Sequence, residues 1–257
     1  MIQSMKSTVL AVGLVLAASG ATAHSNDVSC DADFAYNIDI QGDDLSFSSE
    51  QQQKVLITAG DSLYLDGEKQ MLFPEQLALL QAYNQQVREL LPVASDVAEE
   101  ASAIAVEAVG MVTAALMQDE PEKAEEFMAK VEKISTDLKQ HISKTHLRPQ
   151  GVEDYFESSD FEAEFEALVE TAVTDFVENN VGEMIAAAMS GNEEKVKAFE
   201  QRMEAFGKEM ETQIEAKAEK LERHAEELCM LVEKIDKKEA DLVKAFGRFD
   251  NYQLITD

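Results

Sequence analysis

The chain first shows a period of two, with apolar and polar residues alternating over residues 33–73. Alternation of this kind predicts half-buried strands, because successive side chains of a strand point to opposite faces. Asp66-Gly67 stands where a two-residue hairpin turn needs positive φ angles. We therefore expect a small antiparallel β unit of about three to five strands. The strand candidates are residues 34–40, 45–47, 55–58 and 63–65.

After residue 73 the pattern changes to the period of an α-helix and keeps it for most of the remaining chain. Pro74 is a typical helix start, because the fixed φ angle of proline suits the first helical position. We expect Pro92 to interrupt the apolar stripe of this helix. A further helix is predicted to begin at Pro121 and to end within residues 146–151, where a proline and a glycine break the pattern.

The strongest pattern is an apolar residue at every seventh position of the last segment. This spacing predicts a long helix over 193–246, which either bends at Gly207 or makes the molecule elongated. Charged residues flank the apolar positions, and we interpret them as the solvated face of a coiled coil. The heptad positions are Ile214, Leu221, Leu228, Ile235, Leu242 and Phe249.

These patterns predict an α+β fold that is mainly α. A small N-terminal antiparallel β unit is followed by a long-helix bundle or coiled-coil hairpin. The expected divisions are a signal peptide over 1–23, a β unit over 24–73, a helical bundle over 74–250 that contains the helix 193–246, and a tail over 251–257.

The first residues have the three parts of a bacterial export signal. Lys6 supplies the positive charge, residues 8–18 are apolar, and Ala21-Thr22-Ala23 is a small-x-small cleavage site. The apolar run is shorter than the roughly 20 residues that a bilayer-spanning helix needs. We therefore expect cleavage after Ala23, a location in the periplasm and no stable membrane insertion.

The formal net charge of −29 narrows the choice of partners. Such a charge repels nucleic acid phosphates and anionic lipid headgroups, so no nucleic acid partner is expected. Its simplest interpretation is a solvated surface that keeps an envelope protein soluble. We expect the partners to be other envelope proteins, with an oligomer formed through the coiled coil as an open alternative.

The chain has two cysteines, Cys30 and Cys229. Both would lie in an oxidising compartment after export, and a disulfide between them is therefore predicted. In chain-entropy models, a crosslink that closes so long a loop stabilises the folded state by about 4–5 kcal/mol, although measured values are often lower. The alternative is a pair of buried free thiols.

The string Gly60-Asp61-Ser62-Leu63 resembles the nucleophile segment of a family of serine esterases. A serine nucleophile needs a histidine base that a carboxylate orients, and in that family an aspartate stands three residues before the histidine. None of the histidines in this chain has that neighbour. We interpret the string as turn chemistry and predict no catalytic residue.

The four histidines also lack the spacings of known metal sites. His141, His146 and His224 are not part of a Glu-x-x-His pair or a His-Glu-x-x-His frame. We therefore predict no metal site and no cofactor. A copper site formed by His24 and its new α-amine after cleavage is a minor alternative.

Several segments together match the pattern of a known family, and they span the whole mature chain. They are Cys30, Gly60-Asp61-Ser62-Leu63-Tyr64-Leu65-Asp66-Gly67-Glu68, the helical stretch 76–92 with Tyr83, Arg88 and Leu91-Pro92, and Cys229. In these segments the chain resembles the YggN-like family of Gram-negative periplasmic proteins of unknown function. The resemblance implies a location and an architecture, and it implies no activity.

On this basis we expect a non-enzymatic binding or structural protein, a chaperone-like helical scaffold of the envelope. Met184, Met189, Met203 and Met210 are flexible apolar side chains of the kind that adaptable surfaces use, although ordinary core packing explains each of them as well. The alternative is an envelope metal-handling protein or an enzyme whose site has no recognisable motif.

Overall fold

The structure is a computed structural model that describes residues 33–49, 52–116, 121–176, 185, 189 and 193–256. The predicted signal peptide, His24 and Cys30 lie outside these residues, as does Met184. The disulfide and the cleavage site therefore stay predictions.

A seven-stranded antiparallel sheet forms one side of the molecule, with the strand order β6-β5-β4-β3-β2-β8-β7. A separate two-stranded sheet joins β1 to β9. The strands are β1 Asp33–Phe34, β2 Asn37–Gln41, β3 Asp44–Ser49, β4 Gln52–Thr58, β5 Ser62–Leu65, β6 Glu68–Lys69, β7 Ile142–Ser143, β8 His146–Leu147 and β9 Ile255–Thr256.

Positive φ angles at the β4–β5 and β5–β6 turns confirm the interpretation of both segments as turns. Asp66 and Gly67 have φ angles of 46° and 80°, as the predicted hairpin turn requires. Ala59 and Gly60 have φ angles of 51° and 75° at the preceding turn. The esterase-like string therefore lies at a tight strand connection, where the Ser62 hydroxyl donates to Asp61 Oδ1 at 3.1 Å.

The sheet is larger than the sequence predicts, because a later segment adds two strands to it. The helix that begins at Pro121 ends at Lys139, before the expected 146–151 region. The residues that follow form the β7–β8 hairpin, and β8 pairs with β2 through Ile38 and Leu147. The prediction that this stretch is helical was wrong, since burying Leu147 against the sheet outweighs its local helical pattern.

Five helices complete the described fold, and the two longest pair along each other. They are α1 Pro74–Leu116, α2 Pro121–Lys139, α3 Pro149–Phe156, α4 Ser159–Phe176 and α5 Glu193–Ala245, followed by a 3₁₀ helix at Gly247–Tyr252. The predicted long C-terminal helix is confirmed as one continuous element of 53 residues, about 80 Å long, and it passes through Gly207.

α1 continues through Pro92, which the sequence pattern suggests as an interruption. Proline in a helix interior removes one hydrogen bond and costs about 3 kcal/mol. Here Leu90, Leu91 and Ser95 on both sides of it are buried. Packing of these neighbours therefore offsets the cost of the missing hydrogen bond.

α1 and α5 run antiparallel, and polar contacts mark their register. Gln76 of α1 donates to the Ala245 carbonyl at the end of α5, at 2.6 Å. The same amide accepts from the Phe73 backbone N–H at 2.8 Å, which closes the start of α1. Farther along the pair, ion pairs join Glu100 to Lys220 and Glu107 to Lys217. A coiled-coil geometry for this pair stays a prediction.

The main core lies between the sheet, the first part of α1 and the last part of α5. We call this part the base, consisting of the strands with residues 74–95 and 228–256. We call residues 96–139, 149–176 and 193–227 the arm. Side chains completely or almost completely removed from solvent in the base include Ile38, Leu45, Phe47, Val55, Ile57, Leu63, Leu80, Tyr83, Val87, Leu90, Ile235, Leu242, Phe249 and Leu254.

The burial of the heptad positions differs between the base and the arm. Ile235 and Leu242 are buried in the base, whereas Ile214 and Leu221 are half-buried in the arm. Phe249 is buried but lies beyond the end of α5, in the 3₁₀ helix. In the described part of the arm, the core is a small cluster in which Phe127 packs against Val109, Ala124, Val131 and Ile134.

Candidate functional site

A buried carboxylate in the base holds three elements together. Glu239 of α5 is completely buried, and its Oε1 accepts from the Tyr83 hydroxyl at 2.6 Å and from the Leu254 N–H at 2.7 Å. Its Oε2 accepts from the Ile255 N–H at 3.1 Å. Burial raises the pKa of Glu239, although these hydrogen bonds act in the opposite direction. This network of hydrogen bonds joins β9 to α1 and α5. Both carboxylate oxygens of Glu239 accept hydrogen bonds within it, so its role is structural.

Nothing in the sequence pattern distinguishes Glu239 from the other charged residues of this helix. Glu239 stands between the heptad positions Ile235 and Leu242, where charged residues were interpreted as a solvated face. A single charged residue inside such a helix gives no local sign of burial, because its partners are about 156 and 15 residues away along the chain. Only the tertiary fold brings those partners together.

His146 and Ser143 form a serine–histidine contact in the β7–β8 hairpin. Ser143 Oγ lies 2.8 Å from His146 Nδ1, and His146 Nε2 lies 2.9 Å from the Gln140 carbonyl oxygen. The carbonyl can only accept, so Nε2 carries a proton in this contact, and in the neutral ring Nδ1 accepts from the serine. Ser143 Oγ also accepts from the backbone N–H groups of Thr145 and His146. The arrangement stabilises a tight hairpin.

His141 and His224 occupy different places in the fold. His141 follows the end of α2, and its ring lies 6.3 Å from that of Tyr155. His224 of α5 places Nδ1 at 2.9 Å from Oε2 of Glu100 in α1. The pKa of Glu100 is lowered, mainly by its hydrogen bond from Lys220 and also by His224. In the described residues, histidine, cysteine and carboxylate side chains form no group of three or more with the placement of a metal site.

Among the described residues, an open cavity between α2, α3 and α4 is suited to bind another molecule. Its volume is about 450 Å³, within the range of sites that hold a small ligand or one large side chain. The lining residues are Lys133, Asp137, Tyr155, Ser158, Asp160, Phe161 and Ala163. We call this cavity, with the adjoining ring of Phe165, the aromatic groove.

Tyr155, Phe161 and Phe165 form the apolar wall of the aromatic groove, and Phe156 packs beside them. The ring centroid of Tyr155 lies 5.7 Å from that of Phe156 and 5.3 Å from that of Phe161. Phe161 stacks on Phe165 with a centroid distance of 5.8 Å and an interplanar angle of 17°. These distances are typical of favourable aromatic pairs. Phe165 is 53% exposed, so the row of rings continues from the cavity to the surface.

Local sequence explains why these rings meet. Ser158 caps α4, since its hydroxyl accepts from the Phe161 N–H at 3.1 Å. The same hydroxyl donates to the Tyr155 carbonyl at the end of α3, at 2.7 Å. Phe161 and Phe165 are four residues apart, so they lie on one face of α4. One serine therefore sets the angle between the two helices that carry the rings.

A glycine positions α3 against the end of α2. A Cβ atom added at Gly151 would overlap the ring of His141, so the two segments approach more closely than any other residue at this position would allow. His141 in turn lies beside Tyr155. The sequence pattern predicts a helix break at Gly151, whereas this residue lies inside α3 and allows a close contact.

The described fold is thus an α+β architecture in which a sheeted base carries a long antiparallel helix pair and an arm with an aromatic groove. The chain belongs to the family described as protein of unknown function (DUF2884), which matches residues 30–255. No curated protein and no solved structure shows significant similarity to it. Within the described residues, no helix is both long enough and apolar enough to cross a bilayer.

Proposed function

We propose that this chain is an exported, non-enzymatic binding protein of the bacterial periplasm that holds apolar segments of other envelope proteins in a chaperone-like manner. The proposal includes removal of the signal peptide after Ala23 and the setting that the YggN-like resemblance implies. The observation that supports it best is the aromatic groove, where stacked rings continue from an open cavity to the surface-exposed Phe165.

The partial exposure of these rings indicates that they serve to bind a partner more than to stabilise the fold. Apolar side chains left in contiguous contact with water cost free energy and commonly mark interaction surfaces. The base shows that this chain can bury aromatic residues fully, since Phe47, Tyr83 and Phe249 are completely buried. A partner that covers Phe165 would gain the burial that the arm itself does not supply.

Further apolar side chains are exposed in the same part of the sequence. Ile185 is 56% exposed and Met189 is 85% exposed. Methionine adapts its shape to different partners, which suits a surface that accepts many sequences. Met203 and Met210 are half-buried, so core packing accounts for them equally well.

An aggregation assay on the chain that begins at His24 tests this proposal. We expect the protein to suppress light scattering by a chemically unfolded client upon dilution. Phe165→Ala should weaken the suppression about fivefold, because it removes the exposed end of the apolar wall. Phe73→Ala is the matched control. Phe73 is 75% exposed and directly precedes α1, about 40 Å along that helix from Ser102, which contacts Ser135 of α2, so this variant should act like the unmodified protein.

Two results would overturn the proposal. The first is a failure in the aggregation assay. Either the unmodified protein leaves client aggregation unchanged even in large excess, or Phe165→Ala and Phe73→Ala weaken the suppression equally. The second is stoichiometric metal in the natively purified protein, measured by elemental mass spectrometry, together with no suppression. That second result would favour the metal-handling alternative.

A further inference from the structure

We propose that the aromatic groove selects apolar segments that also carry lysine or arginine, so that its preferred ligand is a cationic, amphipathic segment of another protein. This inference rests on the proposed function and adds the chemical class of the bound segment. Three observations support it: the charge of the segment that builds the groove, the placement of that charge beside the rings, and the size of the cavity.

The segment that carries the rings is wholly anionic. Residues 149–194 contain 13 aspartate and glutamate residues and no lysine, arginine or histidine. The neighbouring helix α2 and the long helix α5 mix both signs: Lys130 of α2 pairs with Glu126, and Lys217 of α5 pairs with Glu107 of α1. Exposed carboxylates in the described part of the segment are Glu153, Asp154, Glu157, Asp160, Glu162, Glu166 and Glu170.

Three of these carboxylates form a row along α4. Glu162, Glu166 and Glu170 are each four residues apart, so they are neighbours on one helix face. Like charges at this spacing destabilise an isolated helix. A bound cation would relieve this repulsion, so a positively charged partner would stabilise the helix.

The carboxylate row lies next to the aromatic row. Phe161 and Phe165 each immediately precede one of the glutamates, so the two rows are offset by one residue, about 100° around the helix. A segment that lies over the rings therefore has carboxylates along its side. Lysine and arginine suit this arrangement, because their aliphatic stems pack on aromatic rings while their charged ends reach the carboxylates.

The cavity holds one large side chain and leaves the rest of the ligand on the surface. Its volume of about 450 Å³ accommodates an aromatic or long aliphatic side chain between Tyr155 and Phe161. Carboxylates of Asp137 and Asp160 line the same cavity, together with Lys133, which pairs with Asp137 at 3.2 Å. The ligand is thus an apolar anchor with positive charges within a few residues of it.

Binding of three labelled peptides to the intact mature protein tests the inference. The peptides share length and apolar residues, and they differ only in carrying four lysines, four glutamines or four glutamates. We expect the lysine peptide to bind about tenfold more tightly than the glutamine peptide at low salt, and the difference to shrink as salt is added.

Charge variants locate the effect. The triple variant Glu162→Gln, Glu166→Gln, Glu170→Gln should weaken the lysine peptide about tenfold and leave the glutamine peptide unchanged. It should remain folded, since it removes a like-charge row, and circular dichroism checks this. The control Glu233→Gln, Asp236→Asn, Asp250→Asn removes three exposed charges from the base and should change neither affinity.

The outcomes separate this inference from the proposed function. Equal binding of the lysine and glutamine peptides, with both weakened by Phe165→Ala, would overturn the charge selection and leave the proposed function standing. If both triple variants weakened binding of the lysine peptide equally, the effect would come from the net charge of the protein, and the charge selection by the groove would also be overturned. If no peptide binds and Phe165→Ala changes nothing, both proposals are wrong.

Discussion

In the base, aromatic side chains such as Phe47, Tyr83 and Phe249 are completely buried, whereas in the arm Phe165 is 53% exposed. Among the buried apolar side chains that the structure describes, Phe127 alone belongs to the arm. The difference is not one of composition, since both parts contain aromatic and aliphatic residues. It depends on the sheet, which covers one face of α1 and α5 in the base, whereas its contact with the arm is made by the edge strand β7 against α2.

This contrast indicates that the two parts have different tasks. A side chain of this size contributes about 1.5–3 kcal/mol when it is fully buried, so the base supplies most of the stability. The arm contributes little burial and keeps apolar surface available. Stability in one part therefore allows exposed apolar surface in the other, and the following experiments test that division.

The largest expected effect is the loss of the buried carboxylate in the base. Glu239→Ala leaves the Tyr83 hydroxyl and the N–H groups of Leu254 and Ile255 buried without an acceptor. We expect the free energy of unfolding to fall by about 3–5 kcal/mol in urea titrations. The control Glu233→Ala, exposed on the same helix, should change it by less than about 0.5 kcal/mol. A loss below about 1 kcal/mol for Glu239→Ala would show that the network does not stabilise the base.

The bridge predicted between Cys30 and Cys229 gives the second largest expected effect. Cys30 lies outside the described residues, and Cys229 lies on α5, ten residues before Glu239. We expect the mass of the intact non-reduced protein to show one bridge, and Cys229→Ser to cost about 2–4 kcal/mol. Labelling of both cysteines in denaturant without a reductant would contradict the bridge.

A pair of glycine variants compares a close contact with an open helix surface. Gly151→Ala places a methyl group against the ring of His141, and we expect it to cost about 1–3 kcal/mol and to weaken client binding at the groove. Gly207→Ala meets no neighbouring atom in the middle of α5, and it should stabilise the protein by about 0.5–1 kcal/mol. Thermal unfolding measures both. Equal effects of the two variants would argue against the close approach at Gly151.

The smallest effect concerns pH. Burial raises the pKa of Glu239 above 4.5, so the folded protein binds this proton more readily than the unfolded chain. The stability gained from protonation is complete below the ordinary value and is lost as the pH rises through the raised pKa. The deficit of Glu239→Gln relative to the unmodified protein, measured as the free energy of unfolding, should therefore grow as the pH is lowered from neutral toward the ordinary carboxyl range.

A control of opposite sign is available in the same part of the molecule. The pKa of Asp66 is lowered by its hydrogen bonds from Tyr252 and Lys54. Its contribution is present above the ordinary carboxyl range and is lost as the pH falls through the lowered pKa. The advantage of the unmodified protein over Asp66→Asn should therefore shrink in acid. If both variants changed in the same direction, the assignment to Glu239 would be wrong.

Much of the architecture could be predicted from short-range patterns. The turn at Asp66-Gly67 needs residues that tolerate positive φ, and α5 repeats an apolar residue every seven positions, so each leaves a clear local signature. The two-residue strands β8 and β9 leave none, because alternation cannot be recognised over so short a stretch. Their pairing depends on partners that are distant in sequence.

The candidate site was harder to predict than the fold. Phe161 and Phe165 carry a helical spacing that indicates an apolar face, but this spacing does not distinguish a buried face from an exposed one. The bond from Ser158 to Tyr155, which brings the two helices together, has no signature beyond a common capping residue. Whether a face stays open depends on which other elements reach it, and only the tertiary structure contains that information.

The pairing of β1 with β9 has a consequence for how the molecule is made. Asp33 and Thr256 face each other across a two-stranded sheet, although 223 residues separate them. A polypeptide delivered N-terminal end first must wait for residues 255–256 before this sheet can close. Until then the part of the core that α5 and β9 supply is missing, so a nascent or truncated chain would itself need protection from aggregation.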